Sequence, residues 1–163
     1  MKASYFSRDI QEFMKLLSEH RVKYVIVGGE AVIYYGHARL TGDVDFFFEA
    51  GTENVLNLHG ALKEFWAGDI PGITNPEELM EPGIVLQFGA PPNRIDLINR
   101  IDGVSFEEAW REKTPVNIEI SGGPAVIYFI VLKQLIWNKE AIGRPKDLED
   151  LKFLRKVMEA ELE

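Results

Sequence analysis

Ile10, Phe13, Met14 and Leu17 recur at i, i+3, i+4 and i+7, so the chain opens on one apolar stripe of an amphipathic helix, with Ser7 or Asp9 placed to cap it. The period then changes. Tyr24-Val25-Ile26-Val27 is a short, mostly β-branched run ending at Gly28-Gly29, and Glu30 to Tyr35 can open a helix that Gly36 stops: strand, tight turn, helix. Asp43 to Phe48 reads as a second strand, and Val55, Leu58, Leu62, Phe65 and Trp66 return to helical spacing. Gly68 to Gly83, holding Pro71, Pro76 and Pro82, reads as loop with one helical turn near Glu77 to Met80. Ile84 to Phe88, Ile95 to Ile98 and Val116 to Ile120 predict further strands, and Ala125 to Ile130 another after a Gly122-Gly123-Pro124 turn. Leu132, Leu135 and Ile136 begin a helix that Gly143 ends, and Leu148, Leu151, Leu154, Met158 and Leu162 stripe the last one.

Strands interleaved with helices predict an α+β (α/β) fold, a mixed sheet packed by helices, with a helical C-terminal tail. At 163 residues one domain is expected over 1–163, its core at about 20–130 and its helical segment at about 131–163. The composition, 46% hydrophobic and 27% charged, allows a packed core and argues against disorder. No cysteine is present, which excludes disulfides, zinc-thiolate sites and thiol catalysis. The longest apolar run, Ala125 to Leu132, is far short of the ~20 residues of a membrane span, and Met1 to Asp9 has no apolar signal region. A soluble, cytoplasmic protein without membrane partners is expected.

The net charge of −8 disfavours non-specific attraction to nucleic-acid phosphates. Residues 133–163 carry seven bases and seven acids, so the whole excess lies in residues 1–132; phosphate attraction is expected to persist in the neutral tail, at Lys139, Arg144 and Lys146.

The chemistry centres on carboxylates. Asp43 and Asp45 alternate on one strand, so both point to one face about 6.6 Å apart along it. Two like charges so placed repel unless a cation lies between them. Asp96 stands in an apolar run; if its strand neighbours that of Asp43, a third carboxylate joins, which suits two divalent ions about 4 Å apart clamping a phosphoryl transfer. The Gly28-Gly29 turn admits close backbone approach and is open to two readings, a phosphate cradle or a bare structural turn. Arg39 and Thr41, just before the carboxylates, could steady phosphate or the acidic cluster. Lys139 shares the apolar stripe of its helix with Leu132 and Ile136, so it must snorkel or meet an anion: a nucleotide phosphate or an internal carboxylate such as Asp147. Asp147 and Asp150 suit a helix start, Asp147 as cap and Asp150 at the third position.

The order hydrophobic-Gly28-Gly29, thirteen residues, then Asp43-Val44-Asp45-Phe46, with Asp96 downstream, resembles the DNA polymerase β-like nucleotidyltransferase superfamily. More narrowly, Arg39-Leu40-Thr41-Gly42-Asp43-Val44-Asp45 and the tail from Lys139 to Leu151 are similar to small nucleotidyltransferase-like proteins related to the AbiEii toxins. The resemblance spans about Tyr24 to Leu154. It implies a metal-dependent transfer of a nucleoside monophosphate from an NTP to a hydroxyl of a tRNA, a protein or a small molecule. A toxin role beside a cognate antitoxin is the narrower implication. On that reading Gly28, Gly29, Arg39, Thr41 and Lys139 hold the nucleotide. Asp43 and Asp45 bind both Mg2+ ions, for which Mn2+ can substitute, and Asp96 binds the catalytic one. Two departures stand out: many superfamily enzymes have Ser where Gly29 stands, and the Arg-Asp dipeptide of tRNA CCA-adding enzymes is absent. The first of these motivates the alternative, a catalytically inactive nucleotide-binding or interaction module on the same fold.

Overall fold

The structure, a computed structural model, describes residues 5–120 and 123–162. Among them the elements run α1 (Arg8–Glu19), β1 (Tyr24–Val27), α2 (Gly28–Tyr34), β2 (Asp43–Phe48) and α3 (Thr52–Phe65), then a 3-10 turn (Pro76–Met80), β3 (Val85–Phe88), β4 (Arg94–Ile98) and α4 (Phe106–Glu112). β5 (Thr114–Ile120), β6 (Gly123–Phe129), α5 (Leu132–Ile142) and α6 (Pro145–Glu161) complete the chain. The predicted α+β architecture with a helical C-terminal region is the one found. Of the predicted turn Gly122-Gly123-Pro124, Gly123 and Pro124 instead open β6, paired with Ile120 and Glu119, and Gly122 lies outside the described residues, as do the first four residues of the N-terminal stretch.

All six strands form one mixed sheet in the order β3-β4-β2-β1-β6-β5. β2 lies at its centre, antiparallel to β1 and parallel to β4. The register places Asp43 opposite Arg94 and Asp45 opposite Asp96. Because side chains alternate, these four residues form a block on one face, while Val44, Phe46, Ile95 and Leu97 point to the other. That opposite face is dry: Phe46 meets Phe13 of α1 edge-on at 5.3 Å, and Phe13 meets Phe65 of α3 at the same distance. Phe47, on the acidic face, packs against Phe106 of α4. The carboxylates therefore stand on strands that large buried aromatics hold from both sides, and truncating one such ring would cost about 3–5 kcal/mol.

Three elements differ from expectation. α2 begins at Gly28 itself rather than at Glu30, because Gly28 has φ +67° and turns the chain directly off β1. α4 has no counterpart in the periodicity reading; it is a short helix nucleated by reciprocal bonds between Ser105 and Glu108, where each side chain caps the other residue's backbone. At the start of α6 the cap is Arg144, not Asp147, which occupies the third helical position; Asp150 lies a turn further in.

Candidate active site

The acidic block opens onto a cleft of about 540 Å³, bounded by the Gly28-Gly29 turn, the loop carrying Arg39 and Thr41, the ends of β2 and β4, and the facing parts of α5 and α6. Asp43, Asp45 and Asp96 each offer an oxygen such that all three lie within 4.8 Å of one another. Three hard oxygen donors this close match the ligand set that divalent cations such as Mg2+ take, so the residues present fit such an ion.

The charges around them are few. Arg94 reaches across both strands: its Nη2 donates to Asp43 Oδ2 at 2.6 Å and to Asp96 Oδ2 at 3.1 Å, and its Nε donates to Asp96 Oδ1 at 2.8 Å. Gln87 of β3 adds a bond to Asp96 Oδ2 at 3.3 Å. Asp45 has no basic side chain within ion-pairing distance among the described residues. Burial, followed by the neighbouring charges of Asp43 and Asp96, pushes its carboxyl up to about 7. Glu30, buried just behind the glycine turn, is likewise raised to about 7, mainly by desolvation.

The glycines have specific reasons. A Cβ on Gly28 would run into the carboxylate of Asp45, and Gly28 also needs its positive φ. A Cβ on Gly29 would lie 2.6 Å from Thr41 Oγ1 and 3.1 Å from Arg39 Nη2. The sequence lacks a hydroxyl at position 29, but Thr41 brings one beside it, its Oγ1 3.4 Å from Asp43 Oδ1.

The tail residues form a second cluster. Lys139 is 2% exposed, and its Nζ donates to Asp147 at 2.9 Å and pairs with Asp150 at 3.1 Å. Arg39 grips Asp150 through Nε at 2.9 Å and Nη2 at 3.1 Å. Asp147 accepts from the backbone N–H of Arg144 at 3.1 Å and from its Nε at 2.7 Å. Burial alone would raise the Asp147 carboxyl; the bonds from Arg144 and Lys139 outweigh it and hold the group at about 2. Of the two anions open to Lys139, the structure supplies the internal one. Arg39 likewise faces Asp150, while Thr41 leans on the acidic cluster.

Sequence reasoning passed over Arg94, Gln87 and Arg100. Arg94 was readable in principle, since it lies two residues before Asp96 and shares its face once the strand is extended by one position. Arg100 and Lys146 are exposed, line the same cleft, and carry no ion pair among the described residues.

A sheet with paired strand carboxylates, a third on the neighbouring parallel strand and a glycine turn beside them defines a protein of the nucleotidyltransferase class. Residues 7–161 match a family model described as a nucleotidyltransferase of unknown function (DUF6036), and the chain belongs to that family. No curated protein matches it. No helix of the described residues is long and apolar enough to cross a membrane.

Proposed function

We propose that this protein is a divalent-metal-dependent nucleotidyltransferase that moves a nucleoside monophosphate from an NTP to a hydroxyl of a tRNA, a protein or a small molecule. The observation that carries the reading is the set Asp43, Asp45 and Asp96, converging within 4.8 Å from two adjacent strands with one arginine for three carboxylates. Asp43 and Asp45 would hold two Mg2+ ions and Asp96 one of them; the bound ions supply charge neutralisation at the phosphates and favour ionisation of the attacking hydroxyl. Asp96 accepts the proton as the acceptor oxygen bonds to the α-phosphorus. The bond from that phosphorus to the bridging oxygen breaks, and pyrophosphate leaves. The bare backbone at Gly28-Gly29 lets the triphosphate approach, with the Thr41 hydroxyl beside it, and Arg100 and Lys146 are cations of the cleft without an ion pair among the described residues. Lys139 and Arg39 support this wall through Asp147 and Asp150.

The test is transfer of label from an NTP to acceptors in a cell extract with Mg2+. Asp45→Asn is expected to abolish it, and unchanged transfer sinks the assignment. The resemblance of the tail to AbiEii-related proteins favours a toxin role in the cytoplasm beside a cognate antitoxin. Expression of the chain alone should then arrest growth, and Asp45→Asn should relieve the arrest.

One observation favours the second reading, an inactive nucleotide-binding or interaction module: Arg94 already bridges Asp43 and Asp96. Calorimetry separates the two, since NTP binding without turnover supports the module.

A further inference from the structure

We propose that Arg94 is a displaceable internal cation of the carboxylate site, which divalent ions replace and monovalent ions do not; this rests on the reading of Asp43, Asp45 and Asp96 as a metal site. Arg94 of β4 lies opposite Asp43 of β2 in register and two residues before Asp96 on β4, so a single guanidinium covers both carboxylates. It takes Oδ2 of Asp43 and both oxygens of Asp96, which are oxygens a shared cation would need. Two cations cannot share them cheaply. Like charges a few ångströms apart repel strongly at the effective dielectric of a protein surface, and a divalent ion doubles the repulsion.

The guanidinium is held but not trapped. Its side chain is 27% exposed at the mouth of the cleft, whereas Lys139 in the tail cluster is 3% exposed and closed in by two carboxylates. Arg94 can therefore leave its partners for open cleft without disturbing the core. A monovalent ion brings the same charge as the guanidinium without its directed hydrogen bonds and gains nothing by exchange. A divalent ion brings twice the charge to three carboxylates that a single guanidinium leaves under-neutralised. The arginine thus keeps the metal-free site folded and raises the threshold for loading, which reconciles the bridge with an active site.

The experiment is a calorimetric titration of the full chain and of Arg94→Met with Mn2+, repeated in high potassium. The variant is expected to bind Mn2+ about tenfold or more tightly than the wild type, equivalent to about 1.4 kcal/mol. Potassium should compete in the variant and not in the wild type. Equal or weaker Mn2+ binding by the variant overturns the proposal and leaves the metal site standing; absence of Mn2+ binding in both overturns the metal site as well. Should Arg94→Met fail to fold, wild-type protein labelled with 15N at arginine answers the question. The hydrogen-bonded Nε–H signal of Arg94 should move to the free-guanidinium position on Mg2+ addition. A signal unchanged while calorimetry registers Mg2+ binding overturns displacement alone.

Discussion

The molecule holds two clusters of carboxylates and bases around one cleft, and they differ in the balance of charge. In the tail cluster two aspartates, Asp147 and Asp150, meet three cations, Lys139, Arg39 and Arg144, and both carboxylates are essentially buried. On the strands three aspartates meet, among the described residues, Arg94 alone. Similar residues therefore do opposite things. The tail cluster is complete within the chain and serves to fix α5, α6 and the Arg39 loop against one another; the strand cluster has an excess of negative charge that only something from outside can neutralise. Removing a charge should accordingly destabilise the first and relax the second.

The largest effect should come from breaking the tail. Lys139→Met leaves two buried carboxylates short of their shared cation, and such uncompensated burial costs about 3–5 kcal/mol. Thermal unfolding should show a lowering of the midpoint by many degrees, with NTP transfer lost in proportion to folding. A variant as stable as the wild type would remove the distinction between the clusters.

Acid comes next. The folded pKa of Asp147, about 2, lies below its ordinary value of 3.8, so the unfolded chain binds more protons between those values. The stabilisation is present above about pH 4 and is lost as the pH falls toward 2, to the extent of about 2 kcal/mol. Asp147→Asn should remove this limb of the stability profile, which denaturant titrations between pH 2 and 6 will register.

On the strand side the sign reverses. Asp45 is raised from 3.8 to about 7, so between those values the folded protein holds a proton that the unfolded chain has released, and stability falls across that range and levels above it. Asp45→Asn should stabilise the metal-free protein at pH 8, with little effect near pH 4, while ending transfer. Mg2+ should then raise the melting temperature of the wild type more than that of the variant. A destabilised variant would mean that Asp45 is bound by the chain as tightly as Asp147.

Much of this contrast is legible in the sequence. The alternation of Asp43, Asp45 and Asp96 within apolar strands places them on faces, and the glycine turn marks a close approach. Their meeting depends on β2 lying beside β4, which local pattern suggests but only the sheet order decides. Lys139 was readable as a lysine on an apolar stripe that must snorkel or meet an anion. Which anion it meets depends on how α6 folds back, so phosphate and Asp147 were equally compatible. The Thr41 hydroxyl beside Gly29 was not readable at all: the two lie twelve positions apart and are joined only by the path of the loop. α4 was missed because seven residues give too few turns for a period, although Ser105 and Glu108 spelled its cap.

The finest test of the comparison is Glu30. It belongs to neither cluster directly, yet it is buried behind the glycine turn and is raised from 4.5 to about 7 by desolvation first, with the charge of Asp43 adding and Arg39 opposing. The Tyr5 hydroxyl, 3.5 Å away, favours the charged form and offsets part of the burial. The sign follows that of Asp45: between about pH 4.5 and 7 the folded state retains the proton, so stability falls across that window and levels above it. Glu30→Gln keeps the shape and removes the charge, so it should stabilise the protein at pH 8 by on the order of 1 kcal/mol and have little effect at pH 5. Paired unfolding curves at the two pH values measure the difference directly. Equal effects at both would mean that Glu30 stays neutral throughout or is solvated like a surface acid, and the excess of negative charge would then stop at the three aspartates rather than extend behind the turn.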